Sequence, residues 1–128
     1  MKPIAREWVK KAEGDFATAQ REFAVKVEPN YDAVCFHSQQ AAEKFLKARL
    51  QESDIAFARI HDLTVLLDNV VSIEPTWENL RPQLHSLTAY AVEYRYPGES
   101  SGKSEAEEAL EGCKTVRQAV RTSLGLSD

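Results

Sequence analysis

Cysteine is scarce in this chain: Cys35 and Cys113 are the two thiols in 128 residues. Neither has a second Cys or a His at ligand spacing. Cys35 and His37 stand at i, i+2, an offset that points them to different sides of a helix. Two lone thiols on apolar stripes read as reduced core residues of a cytoplasmic protein, which excludes a disulfide framework and a structural zinc site. Long apolar runs are also missing. Nothing approaches the ~20 residues that a membrane span requires. The opening Met1-Lys2-Pro3-Ile4-Ala5-Arg6-Glu7-Trp8 breaks its apolar residues with charges, which excludes a signal core. Positive charge is in the minority, 16 Lys and Arg against 20 Asp and Glu for a net −4, so the chain is unsuited to coating nucleic acid electrostatically. A small local basic site remains compatible with that balance. Strand-period alternation, internal repeats and low-complexity tracts are absent as well, which leaves an all-α reading.

The helical signal is clearest between Tyr31 and Leu50. Val34, Cys35, Ser38, Ala41, Ala42, Phe45 and Leu46 recur at i, i+3, i+4, i+7, one stripe of an amphipathic helix. Its middle is small, so a neighbouring helix can come close, and the segment reads as the central helix of a bundle. Phe36 lies off the stripe, where it allows a second contact surface such as another subunit. Gln39, Gln40, Glu43, Lys44 and Lys47 read as a solvated or subunit-facing side, with Glu43 and Lys47 at the favourable i, i+4 spacing.

Four further helices follow from the same rules. Residues 4–25 carry Ala5, Trp8, Val9, Ala12, Phe16, Ala19 and Phe23 on one stripe, opened by Pro3. Pro29 ends that segment and Asn30 caps the central helix, which runs to about Ser53. A connector with Ile55 and Phe57 tucks against the bundle. A shorter helix begins at His61-Asp62-Leu63, with Leu63, Leu66, Leu67, Val70 and Val71 inward. Thr76 caps a turn at Trp77, Arg81-Pro82 interrupts it, and Leu84, Leu87, Ala91 and Tyr94 form the next stripe, ending at Arg95. Tyr96 to Lys103 is the most loop-like segment. Its Gly98 to Lys103 part lacks the strand that a phosphate-binding loop needs. Ser104 and Glu107 have capping-box spacing ahead of Ala106, Ala109, Leu110, Cys113, Val116, Val120 and Leu124, and Gly125 is the stop. The expected fold is an up-and-down bundle of four long helices plus a short one, a single domain by its length.

Three motifs in order, Phe36-His37-Ser38-Gln39-Gln40-Ala41-Ala42-Glu43-Lys44-Phe45-Leu46-Lys47-Ala48, then His61-Asp62-Leu63, then Tyr94-Arg95-Tyr96-Pro97-Gly98-Glu99, resemble the HEPN family, the higher eukaryotes and prokaryotes nucleotide-binding domain. The resemblance covers most of the chain. It implies an up-and-down helical bundle, usually a homodimer, often paired in prokaryotes with a minimal nucleotidyltransferase as a toxin–antitoxin-like system. Many relatives are metal-independent ribonucleases whose site is an Arg, a polar residue and a His a few positions on, with two copies meeting across the dimer.

By that resemblance Arg95 is the candidate catalytic residue, and its permanently charged guanidinium suits a phosphate with two parallel hydrogen bonds. The chain departs from the pattern next to it. Tyr96 replaces the polar residue, and Ser100, Ser101 and Gly102 fill the window where the His would stand. Arg95, Tyr96, Glu99 and His61 are the candidate nucleotide- or partner-binding residues. Structural alternatives stand beside each: Arg95 paired with Glu93 or Glu99, Tyr96-Pro97 as a helix stop, and His61-Asp62 as a helix cap. Two functions follow, a binding module for a nucleotide or a nucleotidyltransferase partner, and a ribonuclease with a composite site around Arg95. No cofactor or metal is expected.

Overall fold

The computed structural model describes residues 1–93 and 96–127, with the backbone alone for residues 91–93. Five α-helices follow one another: α1 (Pro3–Phe23), α2 (Tyr31–Glu52), α3 (Leu63–Val70), α4 (Arg81–Glu93) and α5 (Lys103–Ser123), with a 3-10 turn, Pro75–Leu80, before α4. No strand occurs among the described residues.

Helix α2 is the axis of the bundle, in contact with α1, α3, α4 and α5. Val34, Cys35, Ala41, Ala42, Phe45, Leu46, Ala48 and Leu50 are wholly buried along it. Ala41 and Ala42 face neighbours with nothing larger than a methyl, which permits close packing on more than one side. Asn30 starts the helix by accepting a hydrogen bond from the Ala33 amide at 3.0 Å. Ala5, Val9, Ala12, Phe16 and Ala19 of α1 and Ala106, Ala109, Leu110, Cys113, Val116 and Val120 of α5 complete the same core.

The ends are set by local chemistry. Asp62 caps α3, its carboxylate accepting from the Thr64 amide at 2.9 Å. Pro82 sits in the first turn of α4, where its missing N–H costs nothing, so the break falls ahead of it in the 3-10 turn. Helix α5 begins two residues earlier than its capping-box spacing suggests. Gly102 is the N-cap and its amide donates to Glu105 Oε1 at 2.8 Å, so Glu105, not Glu107, guards this end. At the other end Gly125 (φ +74°) takes the left-handed conformation, and Leu126 donates to the Arg121 carbonyl at 2.8 Å.

One expected surface is interior. Gln39, Glu43 and Lys47 are buried within this one chain. The connector between α2 and α3 returns over that flank, with Ile55, Phe57 and Ile60 packed on the core. Charge at i, i+4 normally marks a wet face, but a self-neutralising pair with further polar partners can be covered.

Candidate functional site

Two of the polar constellations on α2 involve the candidate residues or the loop that carries them. The first is the mooring of the loop that follows α4. Tyr94 and Arg95 lie outside the described residues, and the loop is described from Tyr96 onward. Tyr96 is 67% exposed, and Glu99 is exposed with its amide on the Tyr96 carbonyl at 3.2 Å. That turn passes through Gly98 at φ +92°, a conformation that favours glycine. Ser101 then ties the loop down: its amide and its hydroxyl both donate to Asp32 Oδ1 at 2.7 Å, in the first turn of α2. Beneath this contact lies the Cys35 thiol. Burial pushes it up to about 11; the Ser101 hydroxyl opposes that shift, and the Asp32 and Glu105 charges add to it.

The second constellation centres on Glu43. Its Oε1 accepts from His61 Nδ1 at 2.9 Å and Gln39 Nε2 at 3.3 Å, and its Oε2 accepts from Lys47 Nζ at 2.9 Å. The Gln39 amide also donates to the His61 carbonyl at 2.9 Å, so ring and backbone of His61 are held by the same helix face. Lys47 Nζ stands 5.4 Å from the centre of the Trp8 ring and 5.5 Å from that of Phe57. Those two rings meet edge to face at 6.2 Å. The carboxylate side chain is 4% exposed, whereas the imidazole is 80% exposed. Along α2, Glu43 and Asp32 are about 16 Å apart at 1.5 Å per residue, so His61 and the pinned end of the loop attach at separate levels of the bundle.

The other histidines are placed elsewhere. His37 Nδ1 lies 2.9 Å from Asp15 Oδ1 on α1, and Lys44 takes the other oxygen of that carboxylate at 2.5 Å. His85 is exposed near Asp62. The Asp62 carboxyl is held below its ordinary 3.8, chiefly by the Thr64 hydroxyl and in smaller part by the charge of His85. An open groove of about 560 Å³ runs past Thr64, Glu78, Arg81, Pro82 and His85. The Arg81 guanidinium in it is already engaged by Glu78 and Asp68 at 2.5 and 2.7 Å. Among the described residues no group of three His, Cys, Asp or Glu side chains is arranged to hold a metal. None of the described helices is long and apolar enough to cross a membrane.

The model of the HEPN domain matches residues 5–123. The chain belongs to the HEPN family. A protein of Methanocaldococcus jannaschii named "Putative toxin MJ1304" is 32% identical over 137 residues, spanning 94% of this chain and 88% of that one. The crystal structure of TT1696 from Thermus thermophilus superimposes with a TM-score of 0.82 at 27% identity, covering 94% of this chain and 98% of that one. ST0689, an archaeal HEPN homologue, matches with a TM-score of 0.73 at 24% identity over 96% of this chain and 98% of its own, a likeness of fold. In this HEPN chain the Asp32–Ser101 contact and the burial of Gln39, Glu43 and Lys47 escaped the sequence reading. The second had a visible trace, three polar residues at successive i, i+4 steps on the central helix of the bundle.

Proposed function

We propose that this chain is a single HEPN module of a toxin–antitoxin-like pair, working in the cytoplasm by binding rather than by cleaving. Its partner is a minimal nucleotidyltransferase, and the edge marked by Arg95, Tyr96 and Glu99 takes a nucleotide or that partner, with a second copy completing a homodimer. The observation that carries this reading is the placement of imidazole. His37 of α2 is held on Asp15 of α1, His61 of the connector is held on Glu43 of α2, and His85 of α4 sits near Asp62, so each imidazole is placed on a carboxylate of another segment. Cleavage of RNA without a metal needs a general acid or base that titrates near neutral pH, and the loop itself carries none. The net charge of −4 supports the same choice, because affinity for RNA rests largely on neutralising phosphates.

The Methanocaldococcus relative is named as a toxin, and a second reading of the toxin role for this chain is a metal-independent endoribonuclease with a composite site around Arg95. One experiment separates the two. The purified chain and its Arg95→Ala variant are incubated with a mixed RNA pool in EDTA, and each is titrated with nucleotides and with a minimal nucleotidyltransferase. Binding that Arg95→Ala weakens, with the RNA intact, is the expected result. Cleavage that depends on Arg95 overturns the binding reading.

A further inference from the structure

The Glu43 cluster has a feature that packing does not explain. A carboxylate removed from water costs free energy that an apolar side chain of similar size would avoid. Here it is buried and fixed by Lys47 and Gln39, yet the third group it holds, His61, lies almost wholly in solvent. An exposed ring gains little by burial, so ordering it on a connector returns little stability. What the arrangement does secure is the ring's protonation pattern. In the neutral ring a carboxylate at Nδ1 favours the tautomer with its proton on that nitrogen, which leaves the Nε2 lone pair directed outward. No described residue partners Nε2. His37 has the same kind of contact, on a carboxylate likewise shared with a Lys, but it is 30% exposed and lies edge-on to Phe36.

We propose that His61 Nε2 is a phosphoryl-acceptor site, with Glu43 as its positioning residue. The inference is independent of the nucleotide- or partner-binding reading of the Arg95 loop. In the step, the Nε2 lone pair forms a bond to electrophilic phosphorus while the bond from phosphorus to the leaving group breaks. The Nδ1 proton stays between the ring and the Glu43 carboxylate, whose negative charge offsets the positive charge of the phosphorylated ring. With phosphoramidate as donor, the phosphorus–nitrogen bond breaks and ammonia leaves with its own protons. No metal, oxidant or reductant is required.

The test uses the full chain and potassium phosphoramidate. Phosphohistidine is mapped by mass spectrometry under neutral conditions, and the ring position is read by phosphorus NMR. His61 is expected to be modified roughly tenfold faster than the exposed His85 and than His37, and at Nε2 alone. Glu43→Gln is expected to remove most of that advantage, as loss of a partner that orients a His commonly costs about ten- to a hundredfold, and to admit Nδ1 product. Comparing three histidines within the unmodified protein needs no variant, so a folding defect in Glu43→Gln leaves the proposal testable. Equal rates at His61 and His85, phosphorylation mainly at Nδ1, or a folded Glu43→Gln protein with unchanged rate and regiochemistry each overturns it.

Discussion

Glu43 Oε2 accepts a hydrogen bond from Lys47 Nζ at 2.9 Å one helical turn away, with the two side chains 4% and 8% exposed. Opposite charges four apart on a helix are ordinarily surface decoration. In this bundle they are interior, and their environment makes each dependent on the other.

Glu43→Ala leaves an ammonium buried between Trp8 and Phe57 with no counter-charge, and is expected to cost about 3–5 kcal/mol. Glu43→Leu combined with Lys47→Met replaces both charges with apolar groups of similar bulk and is expected to fall within about 1–2 kcal/mol of the parent. Urea unfolding of the three proteins measures both. A double variant as unstable as Glu43→Ala would show that the pair is not what the single substitution disrupts.

Asp32→Ala removes the acceptor for both Ser101 hydrogen bonds. The Ser101 amide is expected to exchange with solvent about tenfold faster, while amides in the middle of α5 keep their protection. Hydrogen exchange read by NMR distinguishes this local release from a general loss of stability, which would speed both.

The buried thiols give stability a sign on the alkaline side. Burial pushes Cys35 up to about 11 and Cys113 up to about 12, from an ordinary 9.0. Below about pH 9 both groups keep their protons whether the chain is folded or not. Above it the unfolded chain releases protons that the folded chain retains, so this contribution is lost as pH rises through 11 and 12. Unfolding free energy measured from pH 8 to 11 is expected to fall more steeply for the parent than for a Cys35→Ala, Cys113→Ala protein. Ellman's reagent at pH 8 should react with neither thiol until the fold opens.

Helix α2 and its partners were legible in the sequence because apolar periodicity is a local property. The position of a Leu or Ala on a helix follows from counting residues, and a stripe of small side chains implies close neighbours whichever helices supply them. The helix boundaries at Pro29, Asn30, Asp62 and Gly125 were legible for the same reason, since each acts through its own backbone or hydrogen bonds a few residues away. What the tertiary structure alone decided is which polar groups lost their water. Gln39, Glu43 and Lys47 look solvated in isolation, and only the return of the connector, with Phe57 on Trp8 and His61 on Glu43, takes them inside. The grip of Asp32 on Ser101, across 69 residues of chain, is of the same kind. Such contacts join segments distant in sequence, and the free energy that makes them depends on burial, which a linear pattern does not contain.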